Sequence, residues 1–94
     1  MAVWDENKRL KNLANHGVDF RDLEQLDWKR ALLFEDRRKD YRETRLVAMA
    51  ALGPRLHVVV FVERDGERRI ISARKANGRE VAFYEREARS SDPP

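Results

Sequence analysis

Cysteine is absent from this 94-residue chain, so no disulfide can staple the fold and no thiolate can hold zinc. His16 and His57 are the whole imidazole supply, and their separation fits no helical ligand pair. Neither a metal centre nor a cofactor is expected. Glycine is also scarce: Gly17, Gly53, Gly66 and Gly78 are dispersed, and none is followed by Lys and Ser or Thr at the spacing of a phosphate-cradling loop. Ser72 is the only serine in a strand-like run, with no His-Asp pair in view to activate it. Long apolar runs are missing, the longest being LVAMAAL, and MAVWDENKRL is charged too early to read as a signal peptide. A soluble cytoplasmic protein without membrane contact is the expectation.

What the chain has in quantity is charge. Lys and Arg number 20 against 17 Asp and Glu, a formal net charge of +3. That small excess favours a polyanionic partner only where it is clustered. DRRKDYRETR (36–45) and the stretch from Arg64 to Arg79 both carry more cations than anions.

Asp5 is a good helix N-cap, Leu10, Leu13 and Ala14 recur at helical spacing, and Gly17 stops the pattern, which predicts a helix over Glu6 to His16 after a short strand at Ala2 to Trp4. Asp19 caps a second helix with Phe20, Leu23 and Leu26 on one face. Four apolar, β-branched runs follow: ALLF, RLVAMAAL, LHVVVFV and RIISA. Asp65-Gly66 predicts a type I′ hairpin between the last two. VVVFV is apolar on both pleat faces and reads as a central strand covered on each side. Asn77 and Glu80 make a capping box for a final helix with Val81, Tyr84 and Ala88 as its stripe. The fold class is α+β: an N-terminal helix pair, an antiparallel four-stranded sheet with a short extra N-terminal strand, and a C-terminal helix, the helices lying mainly on one face. Residues 1–89 form one domain, and 90–94 are expected to be a disordered tail.

Cations gather at the ends of the strands: Arg64, Arg69, Arg74 and Lys75. Strict alternation puts Ile70, Ser72 and Arg74 on one face and Ile71, Ala73 and Lys75 on the other. Arginines on a sheet face with a histidine nearby suit RNA cleavage without a metal, in which the ribose 2′-hydroxyl attacks the adjacent phosphorus and the cations stabilise the phosphoryl oxygens. His16 could serve as acid or base, with Glu63 or Glu43 as its carboxylate counterpart. The blander reading makes His16 a helix C-terminal residue facing the dipole, and Arg64, Arg68 and Arg69 solubilising charges around a hairpin. Arg74 is harder to dismiss, because a cation near a helix N-terminus is electrostatically unfavourable.

VWDENKRLKNLANHGVDF, then ETRLVAM, then VVVFVERDGERRIISARKA and REVAFYE together resemble the BrnT family of type II toxins over nearly the whole chain. The resemblance implies a RelE-like fold and a ribonuclease that arrests growth. It also implies neutralisation by a ribbon-helix-helix, BrnA-like antitoxin, with DNA contacted only through the antitoxin complex. His16, Arg64 and Arg74 would be its functional positions, followed by Lys8 and Arg45; with Lys75 from the strand-end cations, Lys8 and Arg45 are the residues expected to bind the RNA substrate. A non-catalytic RNA-binding or antitoxin-partner protein of the same fold is the alternative. Direct DNA reading is disfavoured, since no predicted helix has a dense basic face.

Overall fold

In the computed structural model, residues 2–38 and 42–91 are described. Part of the basic segment 36–45, namely residues 39–41, lies outside them, as do residues 92–94 of the expected tail.

The chain runs β1 (Ala2–Val3), α1 (Glu6–His16), β2 (Leu32–Asp36), β3 (Arg45–Leu52), β4 (Arg55–Arg64), β5 (Glu67–Lys75) and α2 (Gly78–Ser91). The strands form one sheet in the order β1-β5-β4-β3-β2. From β2 to β5 every pairing is antiparallel, as expected. The short N-terminal strand makes the sheet mixed, because Ala2 and Val3 run parallel to Arg68 and Arg69. β4 is central, and its apolar run is buried from both sides.

Local signals account for most boundaries. Asp5 accepts hydrogen bonds from the Asn7 and Lys8 amides at 2.8 and 3.2 Å, and Gly17 leaves α1 in the left-handed conformation at φ 71°. Asp65 and Gly66 both have positive φ, 55° and 79°, as a type I′ turn requires. At the start of α2 the Asn77 side chain accepts from the Glu80 amide and the Glu80 carboxylate accepts from the Asn77 amide, both at 2.9 Å. α2 continues through Ser91, so residues 90 and 91, assigned above to the tail, are helical.

Four expectations need correction. The second helix is a 3-10 helix, Phe20–Gln25, followed by a 3-10 turn at Trp28–Arg30. Its apolar residues fall three apart, the period of a 3-10 helix, so Phe20, Leu23 and Leu26 are all buried. Leu10 and Leu13, whose spacing marks α1, are exposed, and the buried residue of that helix is Asn12. The helices do not share a face. Phe20, Leu23 and Leu26 pack with Ala48, Ala50, Val59, Phe61, Ile70 and Ala73 on one side, whereas Val81 and Tyr84 of α2 pack against Val47, Met49, Val58 and Ala76 on the other.

The fourth correction bears on the site. β5 does not alternate strictly: Val60 opposes Ser72 but Phe61 opposes Ile70, leaving Ile71 as the extra residue of a β-bulge. Ile70 and Ala73, three apart, therefore both reach the core. Arg69 and Ile71 line the same face as Ser72 and Arg74, rather than Ile70 sharing that face and Ile71 opposing it.

Asn12 holds β5 in place beyond the end of β1. Its amide nitrogen donates to the Ala73 and Val18 carbonyls at 2.8 and 2.9 Å, and its oxygen accepts from the Ala73 amide at 3.0 Å. The side chain thus pairs with β5 as a strand backbone would. Trp28 closes the same core, donating to the Leu23 carbonyl at 2.9 Å and meeting Phe61 edge to face.

Candidate polyanion-binding face

α2 packs Val81 and Tyr84 against its face of the sheet, near the Gly53-Pro54 turn, and its Phe83 stands beside Phe34 of β2. The Tyr84 hydroxyl donates to the Arg30 carbonyl at 3.0 Å. The rest of that face carries two clefts side by side.

The first lies near the Asp65-Gly66 turn and is lined by Lys8, Arg42, Glu43, Arg45, Val62, Arg64, Arg69 and Ile71, a volume of about 410 Å³ with five cations and one carboxylate. Each cation arrives from a different element. Lys8 extends from α1 at the edge of β5, Arg45 and Arg64 sit at adjacent ends of β3 and β4, and Arg69 is brought over by the bulge. Glu43 makes a fork-to-fork pair with Arg64, whose Nε donates at 3.1 Å and whose Nη2 donates to the other oxygen. Lys8 and Arg69 have no carboxylate partner among the described residues. A phosphate entering this cleft meets two uncommitted cations beside a third held by an exchangeable carboxylate.

The second cleft, about 340 Å³, has a floor of Val47, Met49, Val58 and Val60 between Phe34 on one side and Ser72, Arg74 and Glu80 on the other. Arg74 donates through both terminal nitrogens to Glu80 at 2.7 and 2.8 Å. This pair resolves the apparent conflict between Arg74 and the helix N-terminus: Glu80, in the first turn of α2, complements the helix dipole and Arg74 together. The hydrogen bond from Arg74 holds the Glu80 carboxyl below its usual range, and Glu80 in turn raises Arg74. Arg38 closes the cleft with a fork on the buried Asp36 at 2.9 Å through each nitrogen.

The sequence-predicted residues thus divide. Lys8, Arg45, Arg64 and Glu43 share the first cleft, and Arg74 stands on the same face in the second. Lys75 is exposed on the opposite pleat, its cross-strand partner being the buried His57, whose Nδ1 donates to the Arg55 carbonyl at 2.9 Å. Glu63 points away from Glu43, pairing with Arg68 at 3.9 Å, and Arg68 lies over the Trp28 ring. His16 is exposed in the last turn of α1 and lines neither cleft. Sequence reasoning missed Arg42 and Phe34, and it noticed Arg69 without its facing. Arg42 lies in the basic run 36–45, a signal that could have singled it out, whereas a one-residue bulge leaves no mark in an apolar strand.

Among the described residues, no group of three or more His, Asp or Glu could hold a metal ion, and no helix is long and apolar enough to cross a membrane. A small α+β domain with one closed, apolar sheet face and one open face ringed by arginines is of a class suited to handling a polyanion. The chain belongs to the family of ribonuclease toxins, BrnT, of type II toxin-antitoxin systems, whose model matches residues 4–80. That family implies an RNA substrate and an antitoxin partner. No curated protein matches the chain.

Proposed function

We propose that this toxin cleaves RNA on the basic sheet face by attack of the ribose 2′-hydroxyl on the adjacent phosphorus, without a metal ion. The observation that carries this reading is the first cleft, where five cations converge around a single carboxylate. Arginines there stabilise charge on the phosphoryl oxygens, which is greatest in the pentacovalent transition state. Arg64 and Arg69 approach from the two strands of the hairpin, and Arg74 neutralises a neighbouring phosphate or leaving group. Glu43 is the one carboxylate of the cleft and the proton acceptor for the 2′-hydroxyl. Lys8 is the one cation there with a proton to give, since a guanidinium stays charged, and it suits the 5′-oxygen leaving group. His16 and Glu63 take no part in this version.

The toxin acts in the cytoplasm and is silenced by a ribbon-helix-helix, BrnA-like antitoxin. DNA is contacted only by that partner. An acidic antitoxin segment would compete for the cations that RNA uses.

A non-catalytic RNA-binding or antitoxin-partner role has one observation in its favour: Arg64 and Arg74 are both engaged by internal carboxylates. End-labelled RNA incubated with the partner-free protein in excess chelator separates the readings. Cleavage to 2′,3′-cyclic phosphate and 5′-hydroxyl ends, lost in Arg64→Ala, is the expected result. Binding without cleavage, in the presence and absence of ribosomes, would establish the non-catalytic role instead.

A further inference from the structure

Among the described residues Phe34 and Phe83 are the exposed phenylalanines, and of the two it is Phe34 that lines the second cleft. β2 is the outer strand, and Phe34, opposite Val47 in the β2–β3 ladder, faces the basic side of the sheet while remaining 45% exposed. Trp4, Phe20, Trp28 and Phe61 all pack into the other face. Phe34 walls the second cleft, over a floor of Val47, Met49, Val58 and Val60.

We infer that this cleft holds one unpaired nucleobase of the RNA, stacked against Phe34 and lying on the aliphatic floor. The inference rests on the ribonuclease reading above and names a subsite for it. A base offers two π faces that favour aromatic and aliphatic surface and a rim of donors and acceptors. The cleft offers the matching parts: Phe34 and the floor for a face, and Ser72, Arg74 and Glu80 for the rim. A paired base has its faces and edge already occupied, so the subsite takes single-stranded RNA.

Position supports the assignment. Val62 of the cation cleft follows Val60 by two residues along β4, and Arg45 precedes Val47 by two along β3. Two residues of strand span roughly 7 Å, a step of one nucleotide in scale. A phosphate among Lys8, Arg64 and Arg69 therefore leaves its neighbouring base above the floor of the second cleft. β2 and β5 are separated by three inter-strand spacings, roughly 14 Å, which accommodates a ring between Phe34 and Arg74. An apolar partner side chain fits less well, because covering the wall would strip water from the Arg74–Glu80 ion pair without returning any polar contact.

The test uses short 2′-O-methyl oligoribonucleotides, which bind but cannot be cleaved by this chemistry, with an abasic site moved along the strand and binding read by fluorescence anisotropy. With the wild type, one abasic position should weaken binding by about tenfold, the scale of a lost base stack. Phe34→Ala should weaken the intact oligonucleotide by a similar factor and no longer respond to that abasic position, while Phe34→Tyr should restore the response. Phe34 is half-exposed, so its variants are expected to fold, which thermal melts would check. Binding that is indifferent to every abasic position, or equally sensitive to it in Phe34→Ala, overturns the base subsite and leaves the ribonuclease reading standing. A wild type that binds no intact oligonucleotide at low salt overturns both. Normal RNA binding by Phe34→Ala with impaired antitoxin binding would make the surface a protein dock and also overturn the inference.

Discussion

On the face of the sheet covered by the 3-10 segment, Phe20, Leu23, Phe61 and Ile70 are at most 1% exposed, whereas the opposite face has a floor of Val47, Met49, Val58 and Val60 with Arg45, Arg64, Arg69 and Arg74 around it. The same strands supply both. Large side chains interlock on one side and bury most of the aromatic area, so the stability of the domain is concentrated there. Small aliphatic residues on the other side leave room for a ligand. Cations that repel one another are tolerated on that side because water reaches them and Glu43, Glu80 and Asp36 divide them into pairs.

If the division is real, substitutions on one face should change stability with little effect on chemistry, and those on the other should do the reverse. The largest effect is expected from Phe61→Ala, which opens a cavity between Trp28, Phe20 and the sheet. Chemical denaturation should show a loss of about 3–5 kcal/mol, while any protein that remains folded should cleave RNA at the normal rate. Arg64→Ala should lower the cleavage rate by about 10²–10³ and leave the unfolding midpoint nearly unchanged. A comparable loss of stability would mean that the open face also holds the fold together.

Asn12→Ala should cross the divide. It strips the Ala73 amide and carbonyl of their side-chain partner and should cost about 1–3 kcal/mol. It should also depress cleavage, because β5 carries Arg69 and Arg74 on its other side. Protection of the Ala73 amide from hydrogen exchange is the direct readout.

The smallest effects concern the ion pairs. Glu80→Gln keeps a capping-box residue but removes the charge facing Arg74, and at neutral pH it should cost about 0.5–1 kcal/mol, given that Arg74 is partly exposed. Arg74 depresses the Glu80 pKa, so the carboxylate favours the folded state above its ordinary titration range and that gain fades as pH falls through and below it. Acid titration of stability should therefore be steeper in the wild type than in Glu80→Gln. Asp19, pulled down to about 2 chiefly by its hydrogen bond from Arg21, should contribute a second acid-sensitive component, lost as pH falls from the ordinary Asp value toward 2 and absent in Asp19→Asn.

Features governed by a few neighbouring residues were legible in the sequence. The Asp5 and Asn77 caps, the Gly17 stop and the Asp65-Gly66 turn each follow from one residue's conformational preference. β4 is identified as central by five consecutive apolar residues. The clustering of Lys8, Arg45, Arg64 and Glu43 could not be read from spacing, and these positions entered through family resemblance and charge. What stayed hidden depends on register and tertiary packing. The bulge at Ile71 changes which side of β5 each residue faces, and no propensity distinguishes Ile70 from Ile71. Leu10 and Leu13 look like the buried stripe of α1, yet the helix docks at a strand edge, where a polar amide serves better than a leucine. Nothing in ALLF separates Phe34 from its apolar neighbours, because only the strand order reveals that it lies on an outer strand.

Asn12 also bears on how molecules of this protein meet one another. An unpaired strand edge is an open template for a neighbouring chain, and proteins that leave one bare risk runaway strand-to-strand association. Past the two residues of β1, the exposed edge of β5 is closed at Ala73 by the Asn12 amide, which occupies the donor and acceptor that an incoming strand would seek. The opposite border of the sheet has β2 outermost and no such plug among the described residues. Edge-to-edge pairing of this protein is therefore limited to joining two molecules through β2, and it cannot propagate into a chain because each molecule has only one open border.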